Sequence, residues 1–91
     1  MNQEINRIYW KCRRGMREID LLLREFAQEK LSILDEKDVN VFDSILDYDD
    51  QKLFDYIFKG VSLNNLQHES FINNNLKKFT KQGNFWSIYL S

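Results

Sequence analysis

Chemistry in this chain would have to come from one cysteine, one histidine and a few clustered carboxylates. Cys12 falls on an apolar stripe, where a thiol behaves as a small hydrophobe, so burial rather than reactivity is expected despite its neighbours Lys11 and Arg13. His68 stands alone in a polar stretch, Asn64 to Ser70, and reads as an exposed helix histidine. The run Asp47-Tyr48-Asp49-Asp50 invites a calcium reading, but a loop begun at Asp47 would need glycine and glutamate where Lys52 and Phe58 stand. It reads instead as a turn whose last carboxylate, Asp50, caps a short helix, and as an acidic corner that could meet a basic partner. No phosphate-cradling glycine pattern occurs, and a single Cys and His exclude the usual zinc sets. The expectation is a protein with no catalytic residue and no metal site: not an enzyme.

What stands out is a crowded recognition string. Arg7, Lys11, Arg13, Arg14 and Arg17 follow one another with no acidic residue before Glu18, and Trp10, Gly15, Met16 and Asp20 lie among or beside them. On a continuous helix Arg7, Lys11, Arg14 and Glu18 would share one stripe. Cation before anion is the weaker order for intrahelical pairing, so local stability does not explain the string. An ordinary solvated face is the bland reading. A tryptophan beside the stripe and a glycine that lets another backbone approach argue for an interface. The charge is unevenly placed: residues 1–30 carry seven basic and five acidic side chains, residues 31–60 three and eight, residues 61–91 three and one.

The elements that must carry this string are helical. The chain has 91 residues, no proline, three glycines and 43% hydrophobic residues, enough for one small core. Ile5, Ile8, Cys12, Met16, Ile19, Leu23 and Phe26 recur at threes and fours. Gly15 inside that series leaves two options, one weakened helix or two helices joined at Arg14-Gly15. Asp35 should cap a helix burying Val39, Phe42, Ile45 and Leu46, and Gly60 should stop the next one, which buries Leu53, Phe54 and Ile57. Ser62 or Asn64 should open a last helix with Leu66, Ile72, Leu76 and Phe79 inward and Lys77, Lys78 and Lys81 toward its end. The fold expected is an all-α, compact bundle of about five short helices spanning residues 1–83. An apolar tail, residues 84–91 with Phe85, Trp86, Ile88, Tyr89 and Leu90, would either pack back or await a partner, and packing back is the preferred reading. No apolar run is long enough for a membrane span, so no membrane insertion is expected. Met1-Asn2-Gln3-Glu4 is unlike a signal peptide, so the expected location is cytoplasmic, or the mitochondrial matrix if a presequence has been removed.

The string Arg7-Ile8-Tyr9-Trp10-Lys11-Cys12-Arg13-Arg14-Gly15-Met16-Arg17-Glu18-Ile19-Asp20 resembles the signature of the SdhE family of succinate dehydrogenase assembly factors, whose core Arg-Gly-x-x-Glu is met by Arg14, Gly15 and Glu18. Phe42 through Leu46, Asp49-Asp50 and Leu53-Phe54 resemble the helix, acidic turn and short helix that follow in that family, which often has proline where Gln51 stands. The resemblance implies a five-helix bundle that binds the flavoprotein subunit of succinate dehydrogenase or fumarate reductase and promotes covalent attachment of FAD to that subunit. It implies no cofactor held stably by this chain. Arg14, Gly15 and Glu18 become the expected partner-binding motif, with Arg7, Trp10, Met16 and Arg17 as neighbours. Two other readings stay open: an FAD carrier with Trp10 stacked on the flavin, and a small regulatory or nucleic-acid-binding module, antitoxin-like, using the basic run.

Overall fold

The apolar series from Ile5 to Phe26 is divided between two helices. In the computed structural model, which describes residues 3–80, α1 runs over Gln3–Lys11 and α2 over Arg17–Lys30. The amides of Cys12 and Arg13 close α1 with bonds to Tyr9 and Trp10 carbonyls, 3.2 and 3.1 Å, that tighten its last turn. The chain then leaves helical geometry until the Asp20 amide bonds the Met16 carbonyl at 2.8 Å and opens α2. Of the two options that Gly15 left, the structure takes the two-helix one.

After a 3₁₀ turn at Leu31–Ile33 comes α3, Glu36–Ile45. Asp35 caps it as expected, accepting from the Asp38 amide at 2.8 Å. The following turn delivers the chain to α4, Asp50–Lys59. Here the expected cap is corrected by one residue: Asp49 caps α4, accepting from the Lys52 amide at 2.8 Å, and Asp50 is the first helical residue. Gly60 ends α4 at φ 75°, a left-handed conformation that costs glycine little.

The last helix is opened by neither Ser62 nor Asn64 but by Asn65, whose side chain accepts from the His68 amide at 3.0 Å. Asn64 adopts a left-handed φ of 60° and Ser62 bonds the Glu69 carboxylate instead. Three consecutive segments follow: α5, Leu66–Phe71, a π-helical stretch at Ile72–Leu76, and α6, Lys77–Thr80. Leu66 is 82% exposed, not inward. It lies five and six positions before the buried Phe71 and Ile72, which at about 100° per residue turns it away from their face. Val39, Phe54, Ile57 and Phe79 are half-buried against the core rather than sealed within it.

α2 is the central element. Ile19, Leu22, Leu23, Phe26 and Ala27 are all buried, and Phe26 meets Phe42, Phe71 and Phe79 edge-on at centroid distances of 5.1, 6.0 and 5.7 Å. α1 is pinned to α2 by Ile8 in the core and by the Tyr9 hydroxyl, which donates to the Ala27 carbonyl at 3.2 Å. Among the described residues the architecture is all-α with no strand, and no helix is long and apolar enough to cross a membrane. The tail from residue 84 and Lys81 lie outside the described residues.

Candidate functional site

The uneven charge along the sequence resolves into an internal ladder. Arg7, Lys11 and Arg14 are spaced by four and three, and so are Asp43, Asp47 and Asp50, which face them. Arg7 meets Asp43 in a two-pronged fork, Nη1 to Oδ1 at 3.2 Å and Nη2 to Oδ2 at 2.9 Å, and also reaches Glu4 at 3.3 Å. Lys11 Nζ lies 2.7 Å from Asp43 Oδ1 and 2.8 Å from Asp47 Oδ1. Arg14 Nε donates to Asp50 Oδ1 at 2.8 Å. The acidic corner therefore meets a basic partner within its own chain.

Arg14 is the most enclosed rung, with 11% of its side chain exposed. Besides Asp50, its guanidinium donates to the carbonyls of Lys11 and Leu46, both at 2.9 Å, and of Tyr48. One side chain thus ties the end of α1 to the α3–α4 turn. Its backbone amide donates to Asp20 Oδ1 at 2.8 Å, and the Met16 amide donates to Asp50 Oδ2 at 3.0 Å. Two carboxylates from two helices hold the loop between α1 and α2.

Gly15 sits between these anchors, exposed and without a positive φ. A Cβ built on it would meet one atom within 4 Å, Asp50 Oδ2 at 4.0 Å, an ordinary van der Waals distance. The fold itself does not demand glycine here. Met16 is half-buried against the core, Arg17 is exposed, and Glu18 is half-buried with a side chain that makes no hydrogen bond or ion pair among the described residues. Trp10 is 68% exposed, with the Arg13 guanidinium 5.1 Å from its ring centroid. Of the five cations in the string, Arg13 and Arg17 make no ion pair among the described residues. Gly15, Glu18 and Arg17 thus sit with the loop, Arg7 sits on the ladder, and Trp10 carries Arg13, which is not among the residues that the family resemblance marks.

Protonation follows the ladder. Hydrogen bonding from Arg7, aided by Lys11, holds the Asp43 carboxyl below its ordinary value against the opposing effect of burial. Burial pushes Asp50 upward, but the Arg14 hydrogen bond and charge and the Met16 and Gly15 amides outweigh it, and its pKa is lowered. Both groups bind fewer protons folded than unfolded. Their stabilisation is in full above the unfolded value of 3.8 and drains as the pH falls through the lower folded values. Urea unfolding followed from about pH 6 to about pH 3 should show stability falling toward acid, with a flatter acid limb in Asp43→Asn.

Cys12 is fully buried, and burial above all pushes its thiol up to about 12. It should resist an aromatic disulfide reagent in the native chain and react completely once the chain is unfolded in guanidinium. His68 departs from expectation: it is half-buried, and its Nδ1 lies 2.7 Å from the Tyr48 hydroxyl. Tyr48 comes from the turn that also binds Arg14, so its ring is held at the hydroxyl and its backbone at the carbonyl. Among the described residues no group of three or more His, Cys, Asp or Glu could hold a metal.

A family profile described as Sdh5, flavinator of succinate dehydrogenase, matches residues 6–80. The chain is 41% identical over 56 residues to the FAD assembly factor SdhE of Legionella pneumophila strain Paris, covering 62% of this chain and 71% of that one. It is 39% identical over 64 residues to that of Coxiella burnetii, covering 68% and 78%, and 36% identical over 70 residues to that of Vibrio parahaemolyticus, covering 77% and 81%. No solved structure matches. The profile takes in both helices, the loop they flank and the acidic turn that anchors it, and the chain belongs to the Sdh5 family of succinate dehydrogenase flavinators.

Proposed function

We propose that this chain binds the flavoprotein subunit of succinate dehydrogenase and promotes covalent attachment of FAD to that subunit, acting as a non-catalytic assembly factor. It contributes position rather than a reacting group. Holding the partner so that flavin and acceptor side chain meet in reactive geometry lowers the entropic part of the barrier without new chemistry. The flavin belongs to the partner, and this chain holds no cofactor of its own. The flavoprotein of fumarate reductase, a related client in the family the sequence resembles, is the second substrate of the same activity.

Gly15 is the observation that carries this reading. A glycine that the fold does not require, exposed at the centre of a loop fixed by charge-assisted bonds on either side, suits close approach by another backbone. Next to it in the chain Met16 offers apolar surface, Arg17 a cation and Glu18 a carboxylate, and Trp10 stands exposed on α1. Arg7 and Arg14 enter the motif from the ladder.

The nucleic-acid alternative is disfavoured by the same ladder. A duplex binder needs cations directed outward, and Arg7, Lys11 and Arg14 already face Asp43, Asp47 and Asp50. Binding is tested by isothermal titration of the purified chain into the flavoprotein subunit lacking its covalent flavin, with a salt series against duplex DNA as the control. Saturable binding to the subunit and none to DNA at about 150 mM salt is the expected result. DNA binding with a steep salt slope and none to the subunit would overturn the reading.

A further inference from the structure

We propose that Asp50 is the positioning residue of the Arg14-Gly15-Met16 loop, and that its bond to Arg14 keeps the loop in the shape that docks. The inference rests on the docking role given to Gly15. Asp49 already caps α4, which leaves the Asp50 carboxylate available for other bonds. It directs one oxygen to the Arg14 side chain and the other to the Met16 amide, so the two residues flanking Gly15 are gripped by a single rigid group. From the opposite helix Asp20 Oδ1 takes the Arg14 amide.

Arg14 then completes the arrangement from within. Its bonds to the Lys11, Leu46 and Tyr48 carbonyls fix the guanidinium plane, and that plane fixes the carboxylate against it. With so little of its side chain exposed, Arg14 acts on the partner through Gly15 and Met16 more than through its own nitrogens. Asparagine at position 50 could still accept from Arg14 Nε, but its amide nitrogen would confront the Met16 N–H, donor against donor.

The test compares Asp50→Asn with Asp49→Ala, a neighbour that caps the same helix through the Lys52 amide and makes no hydrogen bond or ion pair to the loop among the described residues. Each is measured for binding to the flavoprotein subunit, for melting temperature and for amide exchange at Met16. Asp50→Asn should weaken binding at least tenfold and speed Met16 exchange more than exchange in the Ile19–Phe26 core. Asp49→Ala should lower the melting temperature by several degrees and bind as the parent does.

Normal binding by Asp50→Asn, or equal binding loss in both variants, would overturn the proposal. If the parent chain itself does not bind the subunit, the docking reading falls, and Met16 exchange decides loop positioning alone: no change in Asp50→Asn overturns it. Should Asp50→Asn not fold, Asp50→Glu replaces it with the same outcomes, since the extra methylene displaces the carboxylate while keeping its charge.

Discussion

Gly15→Leu should fold normally, melt within about 4 °C of the parent, and fail to support flavin attachment. The first half follows from the open space over Gly15: a Cβ meets only Asp50 Oδ2 at 4.0 Å, and the backbone has no positive φ for a side chain to strain. An exposed substitution of this kind usually changes stability by less than about 0.5 kcal/mol, which corresponds to that small shift in melting temperature. The second half follows from the same space being where a partner's backbone would lie. A leucine there must displace either the partner or a loop held by Asp20 and Asp50. Gly15→Ala should fall between, weakening binding by about tenfold for roughly 1.4 kcal/mol of lost contact. Leucine carries no charge, so its effect isolates shape. Normal flavin attachment with Gly15→Leu would remove Gly15 from the docking surface.

Arg14→Ala should have the opposite profile, losing function because the fold around the loop is lost. Four backbone or carboxylate acceptors lose their donor at once: Lys11, Leu46 and Tyr48 carbonyls and the Asp50 carboxylate. Removing one member of a buried ion pair costs about 3–5 kcal/mol because the other is left unpaired. Asp50 keeps its Met16 bond and 24% of its side chain is exposed, so the lower figure, about 3 kcal/mol, applies. In a domain of this size that lowers the melting temperature by roughly 12–24 °C. Arg14→Lys should recover little of it, since an ammonium cannot reproduce the planar fork that serves all four acceptors. A melting temperature within 3 °C or so of the parent would show the latch to be peripheral to stability.

The parts of this molecule legible in its sequence are those set by neighbours along the chain. The helical period, the cap at Asp35 and the stop at Gly60 each depend on residues within one turn, and the structure has them where the sequence puts them. The burial of Cys12 follows from its place on the apolar stripe. Errors of a single step arise where adjacent residues compete for one role. Asp49 and Asp50 are equivalent as sequence symbols, and only the position of Arg14 across the fold decides which one caps and which one reaches back.

The candidate site is legible in composition and not in geometry. A continuous helix would place Arg14 on one stripe with Arg7 and Lys11, whereas α1 ends at Lys11 and Arg14 lies in the loop beyond it. Their acidic partners lie 32 to 36 residues away, beyond any local rule. The signal was nonetheless present: the spacing of four and three repeats in Asp43, Asp47 and Asp50, inside the one third of the chain with a large acidic excess. Tyr48 and His68 pair across 20 residues for the same reason, joining segments whose proximity only the core dictates. The π-helical stretch at Ile72–Leu76 follows no pattern that the residue types reveal.

The most direct test of the assembly-factor account is covalent flavin on the succinate dehydrogenase flavoprotein subunit, read as in-gel fluorescence after denaturation, with the subunit produced alone, with this chain, and with its Gly15→Leu variant. The account predicts a bright band with the parent chain and a faint one in the other two lanes. Equal fluorescence in all three lanes would contradict it.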